Sequence, residues 1–199
     1  MSLVYDKIEA WALKYGNSIK VKAAFAGLAL FEAFILPMPP DVLLPLFMFS
    51  EFRRRWLQYA LITAAASVSG AVIGYIIGSW FFGILGAKII SFYGFETEFA
   101  RAEEFFSTYT FATVFFGAFT PFPYQVITLS AGLFNVNFAL FLIASITGRT
   151  LRYTLGMFLV KEYGLRLFRL ISRNFAIATF AFIIILALLE YLGVINIIR

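Results

Sequence analysis

FEAFILPMPPDVLLP (residues 31–45) and FFGAFTPFPYQVITL (residues 115–129) hold all six prolines of the chain, each cluster inside a long apolar run. Proline lacks an N–H and fixes φ, so Pro37, Pro39 and Pro40 in the first stretch, and Pro121 and Pro123 in the second, must break a helix. A bilayer tolerates such a break only where protein or a water-filled cavity shelters the freed backbone groups. Both stretches are therefore candidate functional sites.

The rest of the composition fits that setting. Of 199 residues, 62% are apolar and 14% charged, too hydrophobic for an ordinary soluble domain. Residues 56–87 and 105–148 carry no charge, and each run exceeds the roughly 20 residues that span a bilayer. The reading is an all-α integral membrane protein. The first apolar run begins near Ala23 without a small-residue cleavage pattern, so no cleavable signal is expected. Cysteine and histidine are absent, which excludes thiol chemistry, a His or Cys metal site, and hydrolysis with histidine as base. No metal and no cofactor are expected. The net charge of +5 comes from Lys and Arg scattered at the ends of apolar runs, which suits membrane orientation and not nucleic acid.

The two proline stretches belong to a repeat. Superposing Pro37 on Pro121 also aligns Pro39 with Pro123, Asp41 with Gln125 and Val42 with Val126. Further on, Ser67, Gly70, Tyr75 and Gly78 fall on Ser145, Gly148, Tyr153 and Gly156, and Lys88 falls on Arg166. The ordered series of Pro, Gly, Tyr and basic residues argues for duplication where no single identity would. Each unit reads as a proline-broken hairpin, a full span and an amphipathic surface segment. Residues 23–36 and 42–50 are too short to cross, as are 105–120 and 124–134, so each hairpin enters and leaves on one side. One span, about 56–82, separates the hairpins. Their mouths must open on opposite sides, making the repeat inverted.

The expected organisation is an interfacial amphipathic helix at 1–22, a membrane domain at 23–173 and a C-terminal transmembrane helix at 174–199. Repeat 1 covers about 23–104 and repeat 2 about 105–173. Lys7, Lys14, Lys20, Lys22, Arg53, Arg54, Arg55, Lys161, Arg166, Arg169 and Arg173 fall on one side, Lys88, Arg101 and Arg199 on the other. The richer side, with the N-terminus, is expected to be cytoplasmic.

Four ionisable residues then lie at membrane depth: Glu32, Asp41, Arg149 and Arg152. Each costs a few kcal/mol there and is read as paired, wetted or functional. Glu32, among apolar neighbours, is a candidate proton carrier, and Asp41 can cap a half-helix or bind a cation or proton. Both are expected to line a site open to water or substrate; the alternative is that the two acids and the two arginines neutralise each other as structural ion pairs. Arg152 replaces the middle glycine of the Gly70, Gly74, Gly78 stripe, so it is expected to face the packed interior, with Arg149 on a neighbouring face. Guanidinium groups bind phosphate with forked hydrogen bonds. The start of the second half-helix, at Tyr124, Gln125 and Thr128, is uncharged and suits an anion.

These residues resemble the DedA superfamily of bacterial membrane proteins, which shares the VTT domain with eukaryotic lipid scramblases. The matching pieces are Glu32-x4-Pro37-x-Pro39-Pro40-Asp41, Gly117-x-Phe119-x-Pro121 with Ala131-Gly132, and Gly148-Arg149-x2-Arg152-Tyr153. The chain resembles a branch lacking the usual second-hairpin arginines, with Ala118 and Tyr124 in the comparable places. The resemblance implies two facing re-entrant hairpins and transfer of phosphate-bearing lipids between leaflets, with proton coupling in some members. Its acids fall on Glu32 and Asp41. In the absence of hairpin arginines, Arg149 and Arg152 are expected to contact the lipid phosphate.

Three functions compete. The first is a flippase or scramblase for polyprenyl phosphate or phospholipid, with or without proton coupling. The second is a small-ion or proton-coupled solute transporter or channel using Glu32 and Asp41. The third, an enzyme acting on lipid phosphates, is least favoured because no nucleophile or metal cluster is recognisable.

Overall fold

A computed structural model describes residues 14–35, 46, 50–81, 92, 96–120 and 122–191, with side chains as far as residue 164 except at 50, 51 and 98. Its elements are α1 (Ile19–Glu32), α2 (Ser50–Arg54), α3 (Trp56–Phe81), α4 (Glu96–Thr108), α5 (Thr110–Phe119), α6 (Tyr124–Leu133) and α7 (Phe138–Tyr191). The described residues contain no strand, as an all-α membrane protein requires.

The scaffold is α3. Its 26 uncharged residues extend about 39 Å at 1.5 Å per residue, more than the roughly 30 Å of a hydrocarbon core. Among the described residues it is the helix long and apolar enough to cross a membrane. It buries Gly70, Ala71, Gly74 and Gly78 on one side and exposes Leu61, Ile76, Ile77 and Trp80 on the other. Small residues on the packed face let neighbouring backbones approach closely, which is how helices associate without a hydrophobic driving force.

Two half-length helices use that face in succession. The Ser18 side chain caps α1 by accepting from Lys20 N at 3.3 Å. At the start of α3, Tyr59 donates to Gly16 O at 2.7 Å, and its ring lies 4.8 Å from that of Phe25. Its middle, at Gly70, is pressed against the Leu30 carbonyl. The two helices therefore run parallel, and the 14-residue α1, about 21 Å long, stops halfway. From there α6 takes over. Gly74 admits Thr128, Gly78 faces the Leu129 carbonyl, and Gly132 of α6 faces the Tyr75 carbonyl. Tyr75 donates to Val136 O at 2.8 Å, just beyond the end of α6.

The long α7 runs antiparallel to α3. Phe158 packs on Trp56 at 5.6 Å, and Phe141 and Phe138 pack on Tyr75 at 5.0 and 5.2 Å. Along the first half of α7 lies α5, with Phe115 and Ala118 against Gly148. After Phe119 the chain turns back, so that the Ile127 side chain fills the space beside Gly117. Gly164, at φ 76° and ψ 174°, interrupts α7. Only glycine adopts that conformation without strain.

Three boundaries differ from expectation. Helix α1 begins at Ile19, ahead of the expected boundary at 22–23, and α7 runs across the expected boundary at 173–174, its break falling at Gly164 instead. The apolar limb read at 105–120 starts at Thr110, because Tyr109 leaves the helical conformation and separates α5 from α4. Thr110 Oγ1 donates back to Phe106 O at 2.8 Å, and this local side-chain bonding competes with a straight helix. The interfacial helix at 1–22 and the first hairpin tip, with Pro37, Pro39, Pro40 and Asp41, fall mainly or wholly outside the described residues, as does Pro121.

Candidate functional site

Glu32 is the last residue of α1, so the end of that helix carries a carboxylate to the midpoint of α3. Arg149 meets it from α7: Nη2 donates to Glu32 Oε2, and Nε donates to Ser67 Oγ of α3 at 2.7 Å. The guanidinium carbon lies 4.2 Å from the ring centroid of Tyr124 and 5.2 Å from that of Tyr153. The Tyr153 hydroxyl is 3.4 Å from Glu32 Oε2, while Tyr124 donates to Ser145 Oγ at 2.7 Å. The two charged side chains are only 1% and 7% exposed. A planar guanidinium suits this setting because it can stack on rings and donate in two in-plane directions at once, which an ammonium cannot.

Arg152 lies three residues further along α7, about 4.5 Å of helix rise, and does a different job. Its Nη1 donates to Thr120 O at 2.7 Å and is 3.4 Å from Phe119 O. These are the last carbonyls of α5, where acceptors lack partners inside the helix and a cation is favoured. The two arginines thus hold the ends of two half-length helices, α1 and α5, at nearly one depth.

A neutral contact adjoins the ion pair. Thr128 Oγ1 of α6 donates to Ala33 O at 2.8 Å and is 3.0 Å from Gln125 O of its own helix. Gln125 itself is half-buried in the first turn of α6, and Tyr124 is fully buried.

The structure brings Glu32, Tyr124 and Arg149 together, places Arg152 and Gln125 near the second break, and leaves Asp41 outside the described residues. It reverses the expected order of the arginines: Arg149 is fully buried and Arg152 half-buried. The reason is that α7 has two inward rows. Arg149 and Tyr153 face α3 and the end of α1, with Ser145 of the same row on Tyr124 of α6, whereas Gly148 and Arg152 face α5. Glu32, expected to face water or substrate, is held by Arg149 instead. Ser67, Ser145 and Tyr153 are not among the expected site residues. Their signal was present, since Ser67 with Ser145 and Tyr75 with Tyr153 are pairs that the superposition of the two halves of the sequence aligns. Polar side chains retained at equivalent points of two apolar helices must find partners when buried.

The family model described as the VTT domain matches residues 38–162. An uncharacterized protein of Haemophilus influenzae is 32% identical over 152 residues, 76% of each chain. An uncharacterized protein of Histophilus somni is 26% identical over the same share. No solved structure matches.

Proposed function

Because the chain belongs to the VTT-domain, or DedA, family of transporter-type membrane proteins, we propose that it moves phosphate-bearing lipids between leaflets, as a flippase or scramblase. Polyprenyl phosphate and phospholipid are the substrate classes, and a bacterial or archaeal cytoplasmic membrane the site. The observation that carries this reading is the Glu32–Arg149 pair at the midpoint of α3, where half-length helices from both halves of the sequence converge. Charge at that depth is costly even when paired, and residues of this kind mark substrate and proton pathways.

The arrangement also supports an inverted repeat. Antiparallel α3 and α7 each carry a half-length helix running parallel to their first half. Two units of opposite orientation give re-entrant hairpins with mouths on opposite sides, and basic residues 53–55 then face the cytoplasm with the N-terminus. In this reading the half-buried Arg152, beside the start of α6, meets the lipid phosphate. Arg149 keeps Glu32 in place until substrate or a proton displaces it.

The test is leaflet exchange in liposomes with labelled polyprenyl phosphate, a labelled phospholipid and the uncharged polyprenyl alcohol, with and without a pH gradient. Exchange of the phosphate-bearing lipids but not of the alcohol is expected. Ion or solute flux without lipid exchange would move the chain to the alternative, a small-ion or proton-coupled solute transporter built on Glu32 and Asp41.

A further inference from the structure

The end of α1 is gripped at two successive residues by different elements: Arg149 of α7 holds Glu32, and Thr128 of α6 holds Ala33. The second grip is unusual for a helical threonine. A buried Thr hydroxyl ordinarily satisfies itself on its own helix, and Thr128 keeps such a contact with Gln125 O at 3.0 Å. Thr128 nevertheless reaches across to Ala33 O at the shorter 2.8 Å. Ala33 is the C-cap of α1, so its carbonyl is one that the helix cannot pair internally. Gly74 lies directly beneath: a Cβ there would meet Thr128 Oγ1 and come within 3.2 Å of Phe34 Cβ. The contact thus fixes both the height and the rotation of the last turn of α1 on α3. Successive helical residues point about 100° apart, so a one-residue rotation would swing Glu32 away from Arg149, Ser67 and Tyr153.

We propose that Thr128 is a positioning residue, which holds the α1 terminus so that the Glu32 carboxylate meets the Arg149 guanidinium. The second half-helix thereby sets the geometry of the charged pair in the first. The transport consequence rests on the lipid-transfer reading, but the positioning role does not.

Two measurements test it. Thr128→Val keeps the branched shape and removes the donor, whereas Thr128→Ser keeps the donor and removes the methyl. In liposomes, labelled polyprenyl phosphate exchange should fall about tenfold in Thr128→Val, the effect of one lost buried hydrogen bond, and return to near wild type in Thr128→Ser. Independently of transport, thermal unfolding of the detergent-solubilised protein is compared for wild type, Thr128→Val, Glu32→Gln and the double variant. Positioning predicts coupling: the shift caused by Thr128→Val shrinks by about half or more in the Glu32→Gln background. Additive shifts overturn the proposal, as does a Thr128→Ser protein as slow as Thr128→Val. If wild type exchanges no lipid, the lipid-transfer reading fails while the unfolding cycle still decides the role of Thr128.

Discussion

At the scale of single residues, Arg149 is tied to four side chains, and its removal should be felt first as instability. Arg149→Ala leaves the Glu32 charge buried without its partner, a loss of about 3–5 kcal/mol in unfolding free energy. Arg149→Lys keeps the charge but not the plane that fits between Tyr124 and Tyr153, and should fall between Ala and wild type. Stability and transport separate in the double variant Glu32→Leu with Arg149→Met. Apolar groups of similar size can replace a buried pair at little cost, so this protein should unfold near wild type yet exchange no lipid. Normal exchange would reduce the pair to a structural device. Arg152 should behave differently. Arg152→Lys should lose the preference for polyprenyl phosphate over its alcohol in a binding assay with little loss of stability. Arg152→Ala should also destabilise, because the Phe119 and Thr120 carbonyls lose a donor.

Among elements, the tightest joint is the glycine face of α3. Gly74→Ala would force Thr128 and Phe34 aside where α1 gives way to α6, and should cost about 1–3 kcal/mol as overpacking. Gly27→Ala is the control: nothing lies within 4 Å of that position in α1, so the change should be neutral or stabilise by about 0.5–1 kcal/mol through helix propensity. Thermal unfolding of the two variants side by side measures the difference. The glycine stripe and the shortness of the hairpin limbs were legible in the sequence, because glycine spacing and proline chemistry are local. The choice of partners was not. Helix α1 is apolar almost all round, so its periodicity names no face. That its end rests on Gly70 follows from tertiary packing. The exchange of roles between Arg149 and Arg152 was hidden for the same reason: one-residue differences in helical phase decide whether a side chain meets α3 or α5. Proline at 123 marked the start of α6, but no residue type announced the break at Tyr109.

For the whole molecule, orientation is the open quantity most easily measured, since the chain has no cysteine to remove. A single cysteine near Glu104 should react with an impermeant thiol reagent added outside intact cells, and one near Arg54 should react only after the membrane is opened. Reaction of both from outside would end the inverted arrangement. The Glu32–Arg149 pair also has a history in time. Its partners are separated by 117 residues, and at about 5–20 residues per second a ribosome needs on the order of ten seconds to make that interval. Through all of it the carboxylate of α1 lacks the cation that offsets its burial, and through most of it α6, which continues the path of α1 along α3, is also still to be made. An apolar segment that emerges before α3 and α7 is thus among the last to settle, and it must wait at the bilayer surface or in the insertion machinery. A cysteine in place of Ala29, fully buried in the folded protein, should stay reactive to an aqueous thiol reagent in stalled nascent chains that end before Arg149. Protection should begin only in chains that carry the full stretch to Gly164 out of the ribosome.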